Sequence, residues 1–182
     1  MLLELQMQHQ IQLLIKPIQP QMLALTRYIG WAVKNIQIGV YRGLYKSSSY
    51  MANAKCMDRD SIDNMYFLYM SYLNNTLFNY TVFQSARDLL YYFIQHCEFD
   101  DMLNDISVFC SKNDCSIIQM SQNLMSNVIG LSTAIAEQAA LIQGGQLPLI
   151  TDEKAVSNFY QPIGNNLGKE IRFALNFVFR QY

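Results

Sequence analysis

Residues 114–143 read DCSIIQMSQNLMSNVIGLSTAIAEQAALIQ, and their spacing decides the fold class. At a 3.5-residue interval the seam Ile117, Ser121, Leu124, Val128, Leu131, Ile135, Gln138 and Ile142 is apolar at six of eight positions. Side chains recurring at that interval share one stripe of an α-helix and no face of a strand. Ser111-Lys112-Asn113-Asp114 resembles a capping box at the start of this helix. Gly144-Gly145 ends it and Pro148 keeps it ended.

The same stretch raises the question of a membrane span, because the 22 residues 115–136 carry no formal charge. Nine of them are Ser, Thr, Asn or Gln, whose polar groups find no partners in lipid. No transmembrane span is expected, and residues 22–45 are similarly apolar but carry Arg27, Lys34 and Arg42.

Working outward, helical periodicity continues in both directions. Residues 20–46 predict a long helix with Leu23, Ile29, Trp31, Val33, Ile36, Val40 and Leu44 on its apolar side, although Gly30 and Gly39 weaken its propensity. A short helix is expected over 2–15, ended by Pro17 and Pro20. Asp58, Asp60 and Ser61 are N-cap candidates for a helix whose face is Ile62, Met65, Tyr66, Tyr69 and Leu73. Asn74-Asn75 breaks or bends it, the pattern resumes from Thr76 to Cys97, and residues 98–111 form a short acidic link that is compatible with a helix. Thr151, Asp152 and Glu153 start a last helix, which Pro162 should kink. The expectation is one all-α domain over 1–182, a bundle of four to six helices.

Composition narrows the function classes. The chain has 182 residues, 51% hydrophobic and only 15% charged, with a net charge of −1. A general nucleic-acid binder needs a net basic surface to displace counterions, so that class is disfavoured. Charge is uneven, at +5 over residues 1–57 and −6 over 58–114. Either the basic third docks on the acidic third, or it offers a face to an anionic partner or a membrane surface. Twelve tyrosines and ten methionines, with many uncharged polar residues, replace the missing surface charge. Such groups cost less to desolvate than Lys or Glu, which points to contact with other proteins.

Cys56, Cys97, Cys110 and Cys115 admit three connectivities if oxidised. Bridges Cys56–Cys97 and Cys110–Cys115 would tie two helices and close a short loop. Buried thiols and a zinc site completed by His96 are the other readings. Asn74-Asn75-Thr76 and Asn79-Tyr80-Thr81 are N-glycosylation sequons, a number that chance alone can supply in so Asn-rich a chain. Residues 1–16 carry Glu4 and frequent polar residues, unlike a signal-peptide core. The compartment is therefore open: secretory or extracellular if the cysteines are bridged, intracellular if Met1 is the mature start.

No catalytic constellation emerges, and no metal or cofactor is expected. Residues 164–170, GNNLGKE, are one residue short of a phosphate loop and place Glu170 where Ser or Thr must hold magnesium. Tyr160, Gly164 and Gly168 at i, i+4 and i+8, and Gly39 with Gly43, instead describe grooves for close helix packing. Glu98, Asp100, Asp101 and Asp105 read as a solvated acidic face, and His96 as a core or interfacial histidine. The expected function is that of a non-enzymatic structural or accessory subunit, contacting protein subunits or further copies of itself. The alternative is a secreted or luminal, disulfide-braced helical protein that binds a lipid or small apolar ligand.

Overall fold

A computed structural model describes residues 19–74 and 76–178. They form seven α-helices and no strand: α1 (Gln19–Tyr45), α2 (Arg59–Leu73), α3 (Tyr80–Tyr91), α4 (Phe99–Lys112), α5 (Ile117–Ser126), α6 (Val128–Gly144) and α7 (Glu153–Leu175). A single π-helical turn, Tyr92–His96, continues α3. The helix expected over 2–15 lies outside the described residues.

The all-α class holds, with more helices than the four to six expected. Two breaks account for the excess. The acidic link is a full helix, α4, and the 114–143 helix is divided at Asn127 into α5 and α6. There the Asn127 backbone leaves the helical region, at φ −106° and ψ 20°, while its N–H still makes the ladder bond to the Asn123 carbonyl at 3.0 Å and its side-chain amide donates to the same carbonyl at 2.9 Å. The start is also displaced. Ser116, rather than Ser111, is the N-cap and accepts from the Gln119 N–H, while Ser111 sits in the last turn of α4. The kink expected at Pro162 is not found as an interruption; α7 runs through it as one element. Pro162 lacks the N–H that the Asn158 carbonyl would accept, so one ladder bond is lost there.

The other caps follow the residue chemistry. Asp58, Asn79 and Asp152 each accept a backbone N–H in the first turn of α2, α3 and α7. Asn74 closes α2.

The centre of the fold is the pair α1 and α7, from opposite parts of the chain. Tyr28 meets Tyr160 in the N-terminal halves of both helices, and Tyr45, the last residue of α1, meets Phe177 just past the end of α7, so the two helices run parallel. Gly39 and Gly43 of α1 lie against Gly164 and Gly168 of α7, each presenting bare backbone to the other. A Cβ on Gly164 would sit 2.9 Å from the Ile36 Cα, and one on Gly168 would sit 2.8 Å from the Leu44 nitrogen. Only glycine permits this approach, so the four glycines expected to form packing grooves fill one another's. Val40, Leu44, Met102 and Phe177 form the main core beside this crossing. A second, smaller core gathers Cys56, Met57 and Cys97 with Val33, Met65 and Phe93.

Candidate interaction surface

The seam that decides the fold class does not become its core. α5 and α6 run antiparallel along α7: Asn123 Nδ2 donates to the Ala174 carbonyl at 3.0 Å, the Phe173 ring covers Gly130, and Lys169 pairs with Glu137 at 3.3 Å. These contacts use the side that carries Asn123, Gly130 and Ala134. The opposite side is left to solvent. Ile117, Ile118, Met125, Val128, Ile129, Ile135 and Ile142 are each between 51% and 83% exposed. Four of the six apolar seam residues, Ile117, Val128, Ile135 and Ile142, are thus outside, while Leu124 and Leu131 are half-buried.

Glu137 is the one formal charge in residues 117–144, and its ion pair with Lys169 turns it toward α7. The outer side of α5–α6 is therefore an uncharged apolar stripe. A second exposed apolar group lies on α2, α3 and their connection, with Tyr72, Phe78, Tyr80 and Phe83 between 62% and 95% exposed. Among the described residues, twelve hydrophobic side chains are buried and twenty-seven large ones are exposed. Isolated exposed apolar residues are ordinary, but contiguous stripes mark contact sites.

The basic and acidic thirds do meet, through tyrosines rather than ion pairs. Tyr41 stacks on Tyr50 at 3.8 Å and leans on Tyr45 at 4.3 Å. The Tyr45 hydroxyl donates to Asp105 at 2.7 Å and the Tyr50 hydroxyl to Glu98 at 3.0 Å. Arg42 Nε donates to the Tyr50 carbonyl. Burial holds all three phenols above the usual tyrosine range, helped at Tyr45 by the bond to Asp105 and at Tyr50 by the bond to Glu98. Two of the four acids read as a solvated face are thus hydrogen-bonded acceptors. Sequence reading missed this cluster, although Tyr41 and Tyr45 stand at i and i+4.

The cysteines pair as Cys56–Cys97, with sulfurs 2.08 Å apart, and Cys110–Cys115, at 2.02 Å. The thiolates a zinc site requires are consumed. The first bridge joins two turns rather than two helices, since Cys56 precedes α2 and Cys97 follows the π turn. Met57 and Glu98, the residues just after its two cysteines, both adopt positive φ (49° and 56°). Gln37 Nε2 donates to the Cys97 carbonyl, pinning the same corner to α1.

Asn74 and Asn79 are both exposed, and the Asn79 side chain is occupied as the N-cap of α3. His96 is half-buried in the π turn against Tyr91 and Tyr92, with neither a nucleophile nor a carboxylate on its ring. Ser132, in a stretch resembling a nucleophile elbow, donates to the Ile129 carbonyl within α6. Among the described residues, no group of three or more His, Cys, Asp or Glu is placed to hold a metal ion, and no helix is long and apolar enough to cross a membrane.

Among the described residues, clefts open on the surface. One of about 660 Å³ is lined by the apolar Val108, Phe109, Leu175 and Phe177 together with Asp105, Lys112 and Asn123. Another, about 840 Å³, lies over α6 and α7 and is lined by Arg42, Glu137, Phe159, Asn165 and Lys169. Set against protein-family models, curated proteins and solved structures, the chain matches none of them.

Proposed function

We propose that this chain is a non-enzymatic, disulfide-braced helical subunit that works by protein–protein contact. The observation that carries the reading is the uncharged stripe of exposed isoleucines along α5 and α6. Desolvating such a stripe costs little and gains about 25 cal/mol per Å² of apolar area removed from water. The exposed aromatic group on α2 and α3 adds a second surface of the same chemistry, and the tyrosine and methionine content suits both. The two bridges favour an oxidising compartment, where they would persist.

The test is the mass of the particle that holds the chain in its native source, measured after mild cross-linking. A particle well above 21.1 kDa supports the reading, whereas a lone 21.1 kDa monomer counts against it.

A second reading, binding of a lipid or small apolar ligand, draws on the 660 Å³ cleft with its apolar lining residues. That volume is within the usual range for small-molecule sites. Native mass spectrometry of the purified chain checks it: a co-purified ligand supports this reading, and a bare chain argues against it.

A further inference from the structure

We infer that the outer side of α5–α6 is closed by the same side of a second copy of this chain, in a two-fold symmetric pair. The inference rests on the reading of that side as a contact surface and names its occupant. Three observations single out a second copy.

The first is charge. The stripe through Ile118, Met125, Ile129 and Ile135 carries no formal charge. A partner chosen by complementary charge finds nothing on the stripe to pair with. In a two-fold pair residue i of one copy meets residue j of the other and j meets i, so the surface must complement itself, and an uncharged apolar stripe does so with no like charges brought together at the axis.

The second is area. The seven exposed apolar residues of α5–α6 present together roughly 800 Å², about what each partner contributes to a standard stable interface. The third concerns lipid. A helix lying on a membrane surface carries Lys and Arg along its polar side. Residues 117–144 contain neither, so the stripe lacks the cations that would draw it to an anionic bilayer.

The experiment is sedimentation equilibrium of the oxidised full chain over a wide concentration range. It compares the wild type with Ile118→Glu/Ile129→Glu, with the milder Ile129→Ser, and with Met51→Glu, 78% exposed and outside both apolar groups, as a control. Residues 118 and 129 are 74% and 80% exposed, so the charges enter solvent in the monomer, and circular dichroism checks that helix content is kept. Should the double variant lose helix, Ile129→Ser is read in its place.

The expected result is a wild-type dimer whose dissociation constant rises at least 100-fold in the double variant and stays within a few-fold of wild type in Met51→Glu. A dimer insensitive to both α5–α6 variants overturns the inference and leaves the subunit reading standing. A wild type that is monomeric throughout also overturns it. If that monomer sediments with vesicles of mixed neutral and anionic phospholipid, the protein–protein reading falls as well.

Discussion

Gly39 and Gly164 face each other where α1 crosses α7, so closely that a Cβ on Gly39 would lie 2.8 Å from the Gly164 carbonyl carbon. The obstacle is backbone, which has no rotamer to move away. Gly39→Ala or Gly164→Ala must therefore push the two helices apart along their whole length. The expected cost is about 3 kcal/mol or more, at the upper end of overpacking. Urea denaturation reads it directly. Gly144→Ala is the counterpart, because nothing lies within 4 Å of its added methyl. It should be neutral or stabilise by up to about 1 kcal/mol.

The two bridges should differ in weight. Cys56 and Cys97 are 41 residues apart, against 5 for Cys110 and Cys115. The loop-entropy relation gives about 4 kcal/mol for the longer and about 2 kcal/mol for the shorter. Paired Cys→Ala variants compared by thermal unfolding test the order, and equal losses would contradict it. The longer bridge also brackets a buried corner, since Cys56 and Cys97 are fully inaccessible.

Lys46 follows α1 at φ 55° and is exposed, without an ion pair among those described. Replacing it with glycine relieves a left-handed backbone at no cost in packing. Lys46→Gly should raise stability by about 0.5–1 kcal/mol, seen as a rise in Tm. A fall would mean that the lysine stem covers apolar surface.

Alkaline pH should unfold the chain through its tyrosines. Burial, and the 2.8 Å bond to the Tyr28 hydroxyl, push Tyr160 up to about 12. The folded state then holds this proton more tightly than the unfolded chain, whose tyrosines ionise near pH 10. The associated stability is fully present below about pH 10 and is lost as the pH rises toward 12. Stability measured across that interval should fall less steeply in Tyr160→Phe than in the wild type.

The fold was legible wherever local chemistry and tertiary packing agree. The 3.6-residue period of residues 20–46 survives as α1, where Val40 and Leu44 of the expected apolar side are buried, while Ile29 is exposed and Thr26 and Ala32, outside the expected set, are buried in its place. Asp58 and Asp152 cap because each carboxylate, one residue before its helix, reaches a first-turn N–H three residues on, and at Asp58 the Ser61 hydroxyl donates to the same oxygen. The break at Asn127 was not legible, since Val128 and Ile129 continue the apolar rhythm across it and only the Asn127 backbone, at φ −106° and ψ 20°, interrupts the helix. Neither was the outward direction of the 117–142 seam. Periodicity says that a stripe exists and is silent about whether anything covers it, and the small residues that seat these helices on α7 are the weaker signal. The glycine pairs were readable as close-packing positions, but their pairing across more than a hundred residues was not.

That pairing has a consequence for how the chain is made. α1 leaves the ribosome early, yet the surface it needs is on α7, whose glycines follow some 125 residues later. At about 5–20 residues per second, the gap lasts on the order of ten seconds. Meanwhile Val40 and Leu44 can pack only on the Met102 side of their core, and the glycine face of α1 has no partner helix, while the Cys56–Cys97 corner can already close. Folding is then set by closure of nearly the whole chain, a high contact order for an all-helical protein, and slow by the standards of helical bundles. A chaperone holding α1 until α7 arrives would matter more to the yield of this protein than any single contact in its finished core.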